Sequence, residues 1–160
     1  MSSEDRTEEL HELLMNLEVI SGIIGTAIVK SNGLLITSRL PRDIDDRKFG
    51  AMAATMLGAV ETATSALGTS DINNLTVELG DDYQLIVMKA TNQIILVSLL
   101  DLNVNLGLIL IEIEETIKKI KKILNSWGEF YFNRKAKREI LSTNKISFNW
   151  WGGARKIVKY

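Results

Sequence analysis

The sequence contains no cysteine, and this absence removes several kinds of chemistry. A chain of 160 residues without cysteine has no disulfide framework, no thiolate nucleophile and no thiolate metal ligand. His11 is its single histidine, so a zinc site, which draws mainly on cysteine and histidine, is close to excluded.

Long uninterrupted apolar runs are also lacking. The longest apolar stretch, residues 94–111, is broken by Ser98, Asp101, Asn103 and Asn105, whereas a transmembrane helix needs about 20 predominantly apolar residues. The N-terminus is acidic before its first apolar residues and lacks the basic-then-apolar order of a signal peptide. We therefore expect no transmembrane segment and a cytoplasmic location.

Signatures of catalysis and of nucleotide binding are absent as well. The sequence has no GxxxxGK[ST] motif, so we do not expect the chain to bind GTP in that manner. Adjacent acidic residues, at 45–46, 81–82 and 114–115, fall at expected helix starts, turns or solvated faces. His11 is expected on a helix surface. The sequence predicts no catalytic residue, no cofactor and no metal.

Charge and aromatic residues are distributed unevenly along the chain. Residues 1–125 carry 11 basic and 18 acidic side chains, a net charge of −7, whereas residues 126–160 carry 8 basic and 2 acidic ones, a net charge of +6. The second segment also holds eight of the ten aromatic residues. We therefore divide the chain into a domain, 1–125, and a basic aromatic C-terminal extension, 126–160.

Hydrophobic periodicity predicts the order helix, two strands, helix, three strands, helix in the domain. The predicted elements are a helix at 8–17, strands at 22–30 and 34–38, a helix at 46–67, strands at 74–79, 83–89 and 93–99, and a helix from 106 to about 124.

Turn and cap signals separate these elements. Asn32 and Gly33 lie between two apolar runs and predict a type I′ hairpin, because both tolerate a positive φ. Asp43 or Asp45 is expected to cap the middle helix, and Gly68 is expected to end it in the left-handed conformation.

The middle helix carries two adjacent rows of small residues at a spacing of four. Glycine inside a helix costs about 1 kcal/mol relative to alanine, so Gly58 is expected to permit close approach of another helix. The alternative is an alanine-rich helix packed tightly on its own sheet. Larger apolar residues such as Met52 and Leu67 are expected to pack on the sheet. The rows are Gly50, Ala54, Gly58, Thr62 and Ala66, and Ala51, Thr55, Ala59 and Ala63.

Two stretches of sequence, together with the element order αββαβββα, resemble the Roadblock/LC7 family. They are "GIIGTAIVKSNGLLITSRLPRDIDDRKFGAMAATMLGAVETATSALG" and the later "NLGLILIEIEETIKKI". The resemblance covers about residues 8–125 and is closest to the stand-alone prokaryotic, MglB-like members. It implies an α+β fold in which a five-stranded antiparallel sheet lies between the long middle helix and the two terminal helices. The C-terminal extension is outside the family pattern.

The resemblance implies a homodimer without enzymatic activity, in which the middle helices pair and the sheets align edge to edge. Members of this family bind or regulate small Ras-like GTPases or serve as scaffolds, and MglB-like members act as GTPase-activating proteins. We therefore predict a non-enzymatic homodimer that binds a small Ras-like GTPase, as a regulator or as a scaffold. The predicted dimer interface is Gly50, Ala51, Ala54, Thr55, Gly58, Ala59, Thr62, Leu75 and Val77.

Strand 74–79 is the candidate edge strand of the sheet. Its unpaired backbone groups either pair with a second copy of the chain, or the edge is protected by Glu78 and solvent.

Three arginines flank the loop before the middle helix. Arg39, Arg42 and Arg47 are predicted to face the GTPase. They serve either as an arginine finger or for docking and solubility.

Three interpretations of the C-terminal extension stay open. Trp127, Trp150 and Trp151 are its predicted contact residues, and they either fold back on the acidic domain, dock a partner, or bind a membrane surface or nucleic acid. The opposite net charges of domain and extension favour the first. The alternative function is a dimeric adaptor that the extension attaches to a membrane or to nucleic acid.

Overall fold

The structure, a computed structural model, describes the backbone of residues 3–69, 71–142, 146–151 and 154–159, and side chains up to residue 126. The chain divides into two compact units, Met1–Ile123 and Leu124–Tyr160. None of the described helices is long and apolar enough to cross a membrane.

The first unit has the predicted order αββαβββα. Its elements are α1 (Ser3–Glu18), β1 (Ile23–Lys30), β2 (Leu35–Arg39), α2 (Asp46–Ser65), β3 (Asn74–Leu79), β4 (Tyr83–Lys89), β5 (Ile94–Asp101) and the first part of α3 (Leu106–Ser142). Its five strands form one antiparallel sheet in the order β2-β1-β5-β4-β3. The predicted fold class is confirmed.

The central strands are apolar on both faces of the sheet. On one face, Val29, Val87 and Val97 form a buried core with Leu57 of α2. On the other face, residues such as Ile28 are also fully buried, and α1 and α3 bury apolar residues of their own. Coverage on both sides explains why the central strands are nearly continuous apolar runs.

The turn between β1 and β2 is a hairpin, as predicted, but its type differs. Gly33 has a φ of +90°, whereas no described non-glycine residue has a positive φ, so Asn32 does not form a type I′ turn. The Gly33 N–H donates to the Lys30 carbonyl at 2.8 Å, and the Lys30 N–H donates to the Leu34 carbonyl at 2.8 Å. This is a three-residue loop in which a type I turn is followed by a glycine bulge.

Strand β2 contains a β-bulge that changes which helix its side chains contact. The pairing with β1 shifts between Leu35 and Thr37, so that Ile36 is an extra residue. Leu35 packs against the core on the α2 side, whereas Thr37 is hydrogen-bonded to His11 of α1. One short strand therefore contacts helices on both faces of the sheet.

The start of α2 is fixed by two carboxylates. Asp45, one of the two predicted caps, accepts a hydrogen bond from the Lys48 N–H at 3.0 Å. The Ser38 hydroxyl of β2 donates to Asp46 Oδ2 at 2.7 Å, which ties the helix start to the sheet. Beyond the other end of the helix, Gly68 has the predicted left-handed conformation, with a φ of +80°.

The second unit contains the rest of α3 and a β-hairpin. The strands of the hairpin are β6 (Ile146–Trp151) and β7 (Ala154–Lys159), which pair antiparallel. Helix α3 reaches Ser142, beyond its predicted end near residue 124. The side chains of Trp127, Trp150 and Trp151 lie outside the described residues, so their contacts stay predictions.

Candidate functional site

One side of α2 packs on the sheet through small residues. Gly50, Ala53, Ala54 and Leu57 are buried there. A Cβ atom added to Gly50 would lie 2.9 Å from Cγ2 of Val29, so glycine at this position allows α2 to approach β1 closely. Gly50 and Ala54 thus contact their own sheet, which corrects their predicted place in the dimer interface.

The opposite side of α2 is an exposed surface of small, uncharged residues, which we call the α2 outer face. The hydroxyls of Thr55 and Thr62 donate to the carbonyls of Ala51 and Gly58, at 2.8 Å and 2.9 Å. The surface therefore offers few polar groups that require water. Its exposed members are Met52, Thr55, Ala59, Thr62, Ala63 and Ala66, and half-buried Ala51 and Gly58 lie beside them.

Three residues show that the domain itself does not cover the α2 outer face and the end of the helix. Met52 and Leu67, which were expected to pack on the sheet, are 52% and 80% exposed. Among the described residues, no neighbouring atom lies within 4 Å of a Cβ built on Gly58. Packing inside the domain does not require a glycine there, although glycine weakens the helix by about 1 kcal/mol relative to alanine.

The single charged residue between Phe49 and Thr69 is Glu61. It forms an ion pair with Lys89 at the end of β4, and the two side chains are only 29% and 28% exposed. Partly buried pairs are less screened by salt than fully exposed ones. Because Lys89 compensates the carboxylate, residues 49–69 present no uncompensated charge.

Strand β3 is the more regular of the two sheet edges. It pairs with β4 along its whole length without a bulge, and Leu75 and Val77 pack from it against the core on the α2 side. Strand β2, at the other edge, is interrupted by its bulge, a feature that disfavours further strand pairing. The edge at β3 is therefore better suited to pair with another chain, although the exposed Glu78 interrupts its apolar character.

The three arginines predicted to face a GTPase have different surroundings. Arg39 donates from Nε to Oε2 of Glu18 at 2.8 Å, which joins β2 to the end of α1. Arg42 and Arg47 are exposed. Arg47 lines an open groove of about 460 Å³ together with Gly33, Leu34, Leu35 and Ala51.

Comparison with known proteins identifies the family of this domain. Residues 7–99 match the family model described as the Roadblock/LC7 domain. The chain belongs to the Roadblock/LC7 family. It is 36% identical to the uncharacterized protein MJ0714 of Methanocaldococcus jannaschii over 112 residues, which are 70% of this chain and 93% of that protein.

Solved structures show the same fold as this Roadblock/LC7 domain. The chain is similar to Myxococcus xanthus MglB with a TM-score of 0.71 and 21% identity, covering 75% of this chain and 90% of that one. A second structure, described as MglB with tetrameric arrangement, gives a TM-score of 0.69 at 16% identity and covers 76% and 91%. At these identities the similarity shows the fold.

His11 joins α1 to the sheet of the Roadblock/LC7 domain. Its Nδ1 atom lies 2.8 Å from Oγ1 of Thr37 in a partly buried contact, so this histidine is half-buried at the edge of the helix surface. His11 follows the buried Leu10 and lies at the border of the apolar stripe of α1, and this border position is the signal in the sequence. Among the described residues, no group of three or more histidine, aspartate or glutamate side chains is arranged to hold a metal ion.

Proposed function

We propose that this Roadblock/LC7 protein is a non-enzymatic cytoplasmic homodimer that binds a small Ras-like GTPase, as a regulator or as a scaffold. The observation that carries the proposal is the α2 outer face, an uncharged helical surface that the domain leaves open. Membership of the family and the fold shared with MglB support a GTPase as the partner.

A second copy of the chain suits the α2 outer face because small residues let two helix backbones approach closely. The ion pair of Glu61 with Lys89 keeps uncompensated charge away from such a contact. Edge pairing of two β3 strands would satisfy backbone groups that an edge strand leaves unpaired. The proposed interface is Ala51, Thr55, Gly58, Ala59 and Thr62 of α2 with Leu75 and Val77 of β3.

Sedimentation of the purified protein tests the dimer. We expect the wild-type chain to be dimeric at micromolar concentration and Gly58→Leu to be largely monomeric, because a leucine at this position separates the two helices. Gly107→Leu is the matched control, since Gly107 is an exposed helical glycine of α3, and it should remain dimeric. A monomeric wild-type protein would contradict the proposal.

GTP hydrolysis assays test the function itself. Each Ras-like GTPase from the source genome is loaded with GDP or a GTP analogue and assayed for binding, and then for hydrolysis of GTP with and without this protein. Faster hydrolysis identifies a GTPase-activating protein, and binding without acceleration identifies a scaffold. If none of these GTPases binds, the GTPase part of the proposal is wrong even when the dimer is confirmed.

A further inference from the structure

The hairpin of β6 and β7 has two faces of different chemistry. Its pairing runs from Ile146 opposite Lys159 to Trp151 opposite Ala154, and successive residues of a strand alternate between the two faces. We call one the aromatic face; its positions are Ile146, Phe148, Trp150, Arg155, Ile157 and Lys159. The opposite face has the positions Ser147, Asn149, Trp151, Ala154, Lys156 and Val158.

Helix α3 repeats the combination of aromatic and cationic residues beyond residue 126. Residues three and four apart share one face of a helix, and this spacing relates Trp127, Phe130, Tyr131, Arg134, Arg138 and Leu141. The two acidic residues of the extension, Glu129 and Glu139, fall outside this row. The helix row and the aromatic face of the hairpin therefore each combine aromatic residues with cations and contain no acidic residue.

We propose that the C-terminal extension binds the surface of an anionic membrane. Its net charge of +6 complements anionic lipid headgroups, and tryptophan with lysine and arginine is typical of peptides that lie in the membrane interface. The sheet of β6 and β7 has only two strands, and two strands by themselves provide at best marginal stability in water, so burial of the aromatic face in lipid would stabilise the hairpin. The proposal does not depend on the dimer or on a GTPase.

Aliphatic residues favour lipid over single-stranded nucleic acid as the ligand. Nucleic-acid bases stack on planar side chains. The side chains of Ile146, Ile157 and Leu141 are branched and aliphatic, so they offer no surface for stacking. The same residues suit the boundary between headgroups and acyl chains. They share rows with the aromatic residues in both the hairpin and the helix.

Tryptophan fluorescence of the full chain tests the proposal. All three tryptophans lie in the extension, so the emission reports on this segment alone. We expect vesicles of phosphatidylcholine mixed with phosphatidylglycerol to shift the emission to shorter wavelength, and vesicles of phosphatidylcholine alone to have little effect. Added salt should weaken the binding.

Neighbouring residues on opposite faces of the hairpin supply matched controls. Arg155→Glu should raise the dissociation constant for anionic vesicles about tenfold, and Lys156→Glu, with the same change in charge, should raise it about twofold or less. Trp150→Ala should weaken binding on the order of tenfold through loss of buried apolar area, whereas Trp151→Ala should have a small effect. Trp150→Phe retains an aromatic ring and should bind nearly as the wild type does.

Three outcomes would overturn the proposal. The first is equal binding to vesicles with and without phosphatidylglycerol. The second is equal weakening by Arg155→Glu and Lys156→Glu, which would mean that net charge acts without a defined face. The third is binding of single-stranded oligothymidylate, with the same dependence on Trp150 and Arg155, in the absence of vesicle binding; the ligand would then be nucleic acid.

Discussion

Two glycines of α2 share one row in the sequence but have opposite surroundings. A Cβ on Gly50 would lie 2.9 Å from Val29, whereas a Cβ on Gly58 would meet no described atom within 4 Å beyond its chain neighbours and the backbone of its own helix. The first glycine is required by packing inside the domain. The second is available to a contact between molecules.

Alanine at these two positions should therefore change stability in opposite directions. Gly58→Ala should raise the free energy of unfolding by about 1 kcal/mol, the helix preference for alanine over glycine. Gly50→Ala gains the same helix preference, but the overpacked contact with Val29 typically costs about 1–3 kcal/mol, so the net effect should be a loss of up to about 2 kcal/mol. Urea denaturation of both variants, at concentrations where the protein is monomeric, measures the difference. A change of the same sign at both positions would contradict the packing described for α2.

A buried pair of hydroxyls gives a second prediction at this scale. Thr26 and Ser98 face each other across β1 and β5, both are fully buried, and neither hydroxyl has a hydrogen-bond partner among the described protein atoms. An unpaired buried hydroxyl costs about 1–3 kcal/mol. Thr26→Val keeps the shape of the side chain and should raise the free energy of unfolding by about 1 kcal/mol.

Thermal or urea denaturation measures this effect, and Thr116→Val is the control. The Thr116 hydroxyl donates to the Glu112 carbonyl at 2.9 Å, so its removal should bring no comparable gain. If Thr26→Val were less stable than the wild type, the Thr26 hydroxyl would have a partner in solution.

Residue types alone did not separate the two sides of α2. The spacing of four correctly identified rows of small residues, but Gly50 and Gly58 are equivalent in that pattern. A row at a spacing of four drifts by about 40° per step around the helix, so this row begins on the sheet at Gly50 and reaches the outer face near Gly58. Where it crosses depends on the rotation of the helix about its axis relative to the sheet. That rotation is set by tertiary contacts such as the one with Val29, which a pattern within one helix does not contain.

At the scale of elements, the sequence left open which of two aspartates caps the N-terminus of α2. Asp45 accepts the Lys48 N–H, and Asp43 is exposed. Asp45→Ala should lower the free energy of unfolding by about 1 kcal/mol, the usual contribution of an N-cap. Asp43→Ala should leave it nearly unchanged. Chemical denaturation followed by circular dichroism compares the two, and an equal loss in both variants would exclude Asp45 as the principal cap.

Element boundaries were predictable where a local pattern determines them. Strands β3 and β4 have the predicted bounds, because their apolar runs are limited by short polar turns. The β1–β2 turn was assigned the wrong type, since Asn-Gly is compatible with more than one hairpin loop. The β2 bulge had no local signal, because it depends on contacts of Leu35 and Thr37 with two different helices.

At the scale of the whole molecule, the arginines give a prediction that depends on the proposed GTPase. Arg39 is engaged with Glu18, so Arg39→Ala should leave GTPase binding unchanged and cost about 0–1 kcal/mol of stability. Arg42→Ala and Arg47→Ala should weaken binding. A loss of about a thousandfold in stimulated hydrolysis would identify an arginine finger, and weaker binding at an unchanged maximal rate would identify a docking role.

Titration of the GTPase against the three variants, by hydrolysis and by direct binding, provides the measurement. A larger effect at Arg39 than at Arg42 and Arg47 would place the contact on the α1 side of the domain, contrary to the prediction.

The overall fold could be inferred from the sequence because its evidence is distributed along the whole domain. Helix and strand periods, two long motifs and their order all indicate one architecture, which the structure and the family match confirm. The C-terminal extension offered only composition. Positive charge with aromatic residues fits several ligands, and the pairing of β6 with β7 was needed to place Trp150 and Arg155 on one face.

The bulge in β2 makes this strand one residue longer than its pairing requires. Because Ile36 is the extra residue, a strand without it would pair Leu35 with Val29 and Thr37 with Ile28 in regular alternation. Thr37 and Arg39 would still face α1, and Ser38 would still face α2, so both helices would keep their polar attachments to the strand. Loss of this one residue is therefore compatible with the same fold.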